Sequence, residues 1–195
     1  VDVAKVGLGD FGKHEHYIAR QINRWSKQYE ASKTPELPAM NRLMQWLPAH
    51  IPAYDVTSVV HGDFRLGNLI VHPTEPRVLA VLDWELSTLG HPLCDLAYNC
   101  LFYHLNDDRH GLGEVDFKAS GIPAEADYVA AYCRRTGRER IQDWDFYLSF
   151  SLFRLAAIAQ GVYKRGLDGN ASSPEALKRG DSARTMSELA WKLVA

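Results

Sequence analysis

A mostly helical α+β fold is predicted by three features of this sequence. Apolar residues recur at helical spacing near both ends of the chain. Short runs rich in β-branched residues are confined to the stretch between Ser58 and Asp83. No strand–helix–strand alternation of the kind a parallel sheet requires is present. At 195 residues, one domain over 1–195 has ample length for a sizeable core.

Taken in order, residues 1–14 carry Gly7, Gly9 and Gly12 and read as a loop. Over 16–31 the apolar positions Tyr17, Ile18, Ile22, Trp25 and Tyr29 fall on one helical face. A second helix is expected from Thr34-Pro35-Glu36, with proline in the first turn where it sacrifices no hydrogen bond. It continues through Met40, Leu43, Met44 and Leu47 to a stop near Pro48. The pattern then changes. Val59-Val60, Leu69-Ile70-Val71 and the run from Val78 to Leu82 are too short for helices and read as strands. The last is expected to be buried, and residues 72–76 form a hairpin connection between the last two. Beyond Leu93, helices are expected over 95–102, 123–136, 143–165 and 174–194, with loops over 106–122 and 166–173. The third of these is apolar nearly all round, which marks it as the central, buried helix.

Composition narrows the function classes. Hydrophobic residues make up 46% and charged residues 24%, and a net charge of −2 gives no basic footprint for nucleic acid. No apolar run approaches the roughly 18 residues of a membrane span, and no signal-peptide pattern opens the sequence. Cys94, Cys100 and Cys133 are odd in number and lack C-x-x-C spacing, so they read as buried thiols of a reducing cytoplasm.

The chemistry lies in His61-Gly62-Asp63-Phe64-Arg65-Leu66-Gly67-Asn68, followed by Asp83-Trp84-Glu85 on a separate strand. An Asp and an Asn five apart in a turn, joined by a second Asp, supply the hard oxygens that suit Mg²⁺. That ion takes few protein ligands and completes its shell with water and phosphate. The spacing follows the logic of a protein-kinase catalytic loop and its metal-binding aspartate, which points to phosphoryl transfer. Asp63 is the candidate base, and capping of the turn after Gly62 is its structural alternative. Asn68 and Asp83 are the candidate metal ligands, and Glu85 is a supporting group or a third contact. His61 is expected to brace the loop, and Arg65 to meet a phosphate or hold a carboxylate. Asp95, in the turn His91-Pro92-Leu93-Cys94-Asp95, reads as a structural group near a helix N-terminus or bonded to the catalytic loop.

Two other patterns carry less. Gly7-x-Gly9-x-x-Gly12 matches a dinucleotide fingerprint, but the segments after it are helices with no second strand at the required spacing. Lys5 follows Val3-Ala4 as a kinase phosphate-binding lysine would, yet it precedes the glycines when it should follow them.

The ordered set His61-Gly62-Asp63 to Asn68, Leu82-Asp83-Trp84-Glu85 and Gly90-His91-Pro92 to Asp95-Leu96-Ala97 resembles the aminoglycoside phosphotransferase and choline kinase superfamily. Residues 7–12, 24–29 and 153–156 resemble, more narrowly, the branch related to kinase domains fused to acyl-CoA dehydrogenases. The resemblance implies the helical C-terminal lobe of a protein-kinase-like fold, with Asp63 as catalytic base and Asn68 and Asp83 holding Mg²⁺ on ATP. It also implies a missing N-terminal lobe carrying the phosphate-binding lysine, and hence a protein that extends upstream of Val1. The acceptor would be a small-molecule hydroxyl, of a hydroxyacyl-CoA on the branch resemblance and of an aminoglycoside or choline on the wider one. Acidic residues of the 106–114 loop would favour a cationic acceptor. Arg154, Lys164 and Arg165 would favour an anionic one, with Arg154 either binding substrate or pairing with a buried acid. A non-catalytic, pseudokinase-like binding lobe is the alternative from another class.

Overall fold

The computed structural model describes residues 2–54, 56–105, 111–112 and 115–195. Helices α1 (Tyr17–Ser32) and α2 (Pro38–Ala49) come first. Four short strands follow: β1 (Ser58–Val60), β2 (Leu69–Val71), β3 (Val78–Val81) and β4 (Thr88–Gly90). The rest is helical: α3 (Pro92–Cys100), a single turn α4 (Phe117–Ser120), α5 (Glu125–Thr136), α6 (Trp144–Leu167) and α7 (Arg179–Lys192). The expected helical fold with a small β insert is therefore the fold observed.

Helix α6 is the axis of the core. Phe146, Tyr147, Leu148, Phe150, Leu152, Phe153, Ala156 and Ala157 are all buried along it. Around it pack α1, α3 and α7, and α2 leans on α7. Leu43, Leu47, Tyr29 and Met40 complete the interior with no exposed surface. A helix apolar on every side has no other stable place than the centre.

The strands form two antiparallel pairs. β1 lies on β4 with Val59 opposite Leu89, and β2 lies on β3 with Ile70 opposite Ala80. The first pair is inside: Val60, Leu89 and Gly90 are buried, and Gly90 is so close to the Tyr17 ring that a Cβ would come within 2.8 Å. The second pair is a hairpin on the surface.

Four expectations are corrected. Helix α2 begins at Pro38, not at Thr34, because a residue preceding proline is pushed out of the helical region and Leu37 is extended (φ −110°, ψ 100°). Helix α3 begins earlier than expected, with Pro92 in its first turn. Strand β4 was not anticipated, being three residues ending in glycine with no alternation to reveal it. Strand β3 is not buried: Val78 and Leu79 are exposed because no layer of the described residues covers the hairpin.

The region before α1 forms turns with no strand, which removes the structural context a dinucleotide fingerprint needs. Lys5 there makes a surface ion pair with Asp2 at 3.5 Å. Cys94, Cys100 and Cys133 are buried free thiols. Among the described residues no helix is long and apolar enough to cross a membrane. Much of the expected 106–122 loop, including Asn106 to Asp108 and Glu114, lies outside the described residues.

Candidate active site

Between β1 and a 3₁₀ turn at Leu66–Asn68, the chain makes a loop whose backbone is held from three directions. At its start Gly62 has φ +84°, and a Cβ there would lie 2.7 Å from the Leu86 carbonyl. Only glycine satisfies both conditions. The Asp95 carboxylate, on the first turn of α3, accepts from the amides of His61 (2.6 Å) and Gly62 (3.0 Å). From the other side Arg154 of α6 donates through Nη2 to the Gly62 carbonyl. His61, buried, donates from Nε2 to the Leu82 carbonyl at 2.8 Å and accepts at Nδ1 from the Asp63 amide at 3.2 Å. Those two bonds define one neutral tautomer, and the ring packs on Trp84 with centroids 4.8 Å apart.

Leu82 joins the two halves of the motif. Its N–H donates to the Asn68 carbonyl at 2.8 Å while its own carbonyl takes the His61 proton, so Asp83 emerges directly beside the loop. Asp83 has a left-handed backbone (φ 67°, ψ 50°), a conformation that costs a non-glycine residue roughly 1–3 kcal/mol and clusters at functional sites. Its side chain is exposed and makes no hydrogen bond or ion pair among the described residues.

Asp63 is half-buried and surrounded by donors. Arg65 Nε donates to its Oδ2 at 3.1 Å, and Asn68 Nδ2 donates to the same oxygen and to the Asp63 carbonyl, both at 2.9 Å. Burial raises the Asp63 pKa, but hydrogen bonds from Tyr98, Arg65 and Asn68 outweigh it, leaving it below the ordinary carboxylate value. Burial pushes the Tyr98 phenol up, and the adjacent Asp63 adds to this, so Tyr98 stays a donor. Asp95 goes the other way: burial raises its pKa more than the His61 and Gly62 amides lower it.

The structure thus brings Asp63, Asn68, Asp83, His61, Arg65 and Asp95 together around one loop. Glu85 lies exposed on the next 3₁₀ turn, without a hydrogen bond or ion pair among the described residues. Arg154 meets the loop backbone, and its guanidinium lies over the rings of Trp25 (5.6 Å) and Tyr98 (5.1 Å). The donor set suits a cation that binds few protein groups. With its nitrogen engaged, Asn68 has its amide oxygen left, and Asp83 offers a free carboxylate. Among the described residues no trio of His, Cys, Asp or Glu forms a protein cage, which a metal completed by phosphate and water does not need. A cavity of about 900 Å³ lined by Tyr54, Leu93, Arg138 and Tyr147 does not include Asp63, whose side chain is 18% exposed.

Sequence reasoning missed Tyr98, Trp25 and the Leu82 backbone. Tyr98 was within reach of it: three residues after Asp95, it is on the same face of α3. The other two contacts depend on tertiary packing and leave no local pattern.

A loop carrying Asp63 and Asn68, with Asp83 just past the end of β3 and not on the strand as expected, has the donor set that phosphoryl transfer uses. The family model described as APH, phosphotransferase enzyme family, matches residues 1–147, and the chain belongs to that family. A solved structure from Ralstonia eutropha, described as a "putative aminoglycoside phosphotransferase", superposes with a TM-score of 0.94 at 55% identity. The match covers 99% of this chain and 60% of that one. Acyl-CoA dehydrogenase family member 10 of Mus musculus is 51% identical over 194 residues, covering 98% of this chain and 18% of the relative. Acyl-CoA dehydrogenase family member 11 of Rattus norvegicus is 41% identical over 197 residues, covering 99% and 25%. The chain therefore spans about a quarter or less of the length of these two relatives.

Proposed function

We propose that this chain is the C-terminal lobe of an ATP- and Mg²⁺-dependent kinase that moves the γ-phosphoryl group to the hydroxyl of a small molecule. The observation that carries this reading is the Asp63 carboxylate, kept ionised by three side chains on a loop anchored by Asp95, His61 and Arg154. Asn68 and Asp83 would hold Mg²⁺, which when bound offsets charge on the ATP phosphates. Asp63 orients the acceptor hydroxyl and takes its proton as the oxygen–phosphorus bond forms and the bond to the β-phosphate oxygen breaks, releasing ADP. Arg65, next to Asp63 and half-exposed, steadies that carboxylate.

Two further features support the reading. The exposed apolar hairpin beside the site suits a nucleotide base and an upstream lobe that closes over it. The relatives of the acyl-CoA dehydrogenase family favour a hydroxyacyl-CoA acceptor over an aminoglycoside or choline. The three buried free thiols accord with a cytoplasmic setting.

The test follows ATP consumption with Mg²⁺ by a protein extended upstream of Val1, across hydroxyacyl-CoAs, aminoglycosides, choline and simple sugars. Turnover confined to hydroxyacyl-CoAs is expected. Calorimetric binding of Mg·ATP without turnover on any acceptor would contradict the kinase reading and leave a ligand-binding lobe in its place.

A further inference from the structure

Gly62 is the pivot of the loop. Its amide is taken by Asp95, its φ is positive, and Leu86 leaves no room for a Cβ. The peptide between Gly62 and Asp63 is held at both of its polar ends: the Asp63 N–H donates to His61 Nδ1 at 3.2 Å, and Arg154 takes the carbonyl end. Its Nη2 donates to the Gly62 carbonyl, the one polar atom of that peptide facing α6 across a sequence separation of 92.

The guanidinium is itself fixed. Trp25 of α1 and Tyr98 of α3 lie against it at 5.6 and 5.1 Å, a slot that orders a planar cation. Its Nε is buried with no hydrogen-bond partner, so the slot holds the group at a cost and the Gly62 bond is the return. Three helices of the core thereby bear on one loop: α6 through Arg154 on the Gly62 carbonyl, α3 through Asp95 on the His61 and Gly62 amides, and α1 and α3 through Trp25 and Tyr98 against the guanidinium.

We propose that Arg154 is a positioning residue of the phosphoryl transfer, setting the Gly62–Asp63 peptide so that the Asp63 carboxylate faces the acceptor hydroxyl. It does not bind substrate. The inference rests on the kinase reading for its consequence, but its structural half does not.

Two readouts separate the halves. Hydrogen–deuterium exchange of the full-length protein reports the loop directly. Arg154→Met should speed exchange of the peptide covering residues 60–66 at least tenfold, while α7 exchanges as in wild type. In steady state the same variant should lose ten- to a hundredfold in kcat, with KM for ATP and acceptor within threefold and the acid limb of the pH profile unmoved. The last point holds because Arg154 acts on the aim of Asp63 and not on its charge. Arg154→Lys, which keeps a cation and a donor in the slot, should recover kcat to within fivefold of wild type, and carries the test if Arg154→Met fails to fold. Unchanged loop exchange in Arg154→Met would overturn the proposal. So would a rise in acceptor KM at constant kcat, or an inactive Arg154→Lys with normal loop exchange, since each places the guanidinium on the substrate. Absence of turnover in wild type, with loop exchange still dependent on Arg154, would fault the kinase reading alone.

Discussion

Asp63 sits on the loop and Asp95 accepts from its amides, and their surroundings move their pKa values in opposite directions. Hydrogen bonds from Tyr98, Arg65 and Asn68 more than offset the burial of Asp63, while burial dominates at Asp95. The sign of the linkage differs accordingly. Asp63, depressed in the folded state, contributes stability that is present above its unfolded pKa and lost as pH falls through the folded one. Asp95, raised, contributes stability that is full below its unfolded pKa and lost as pH rises through the folded one. Arg65→Met removes one of the bonds that depress Asp63. The acid limb of kcat/KM should therefore move upward in pH, and a pH–rate profile of the full-length protein checks it. A limb left in place would mean that Arg65 does not set the ionisation of Asp63. At this scale the motif residues were legible because they are close in sequence, His61 to Asn68 and then Asp83. The contact of Arg154 with Gly62 was not, since it is made by folding and not by spacing.

The β2–β3 hairpin carries large apolar side chains that none of the described residues covers. Ile70, Val71, Val78, Leu79 and Leu82 are exposed along it, joined by Leu66, Trp84 and Leu86 from the flanking 3₁₀ turns, with Leu66 at 69% and Val71 at 60%. Large apolar side chains left exposed on a two-stranded hairpin suit a binding face. On the present reading it receives the nucleotide base and the upstream lobe. Replacing Ile70 and Leu79 by Thr and Ser should leave the melting temperature of the lobe nearly unchanged, as exposed positions do. In the full-length protein each should weaken Mg·ATP, by about 1 kcal/mol or several-fold in Kd. Calorimetry decides it, and unchanged affinity would leave the face unexplained by nucleotide. The sequence showed Val78 to Leu82 as a buried strand because an apolar run has the same pattern whether or not its cover is present. It showed α1, α5 and α6 close to their bounds because 3.6-residue periodicity is a property of the segment itself. Strand β4 exists only by pairing with β1, and three residues carry no period of their own.

Viewed whole, the lobe is a helical block built around α6 that presents one loop. The loop is anchored from three parts of the chain: the residue after β3 through Leu82, α3 through Asp95 and Tyr98, and α6 through Arg154. The block is the rigid base, and the loop carries the chemistry. Fold and family were legible in the ordered motifs, and the match to the phosphotransferase family over residues 1–147 agrees with them. The acceptor was not, because its specificity resides in surfaces that the motifs do not encode. The central claim is that Asp63 is the base, and it is tested most directly by Asp63→Asn in the full-length protein. That change keeps the shape of the side chain and removes the charge. The account predicts a loss of about 10²–10⁴ in kcat, with Mg·ATP affinity within about threefold because the proposed metal ligands are untouched. A kcat within about threefold of wild type would contradict it.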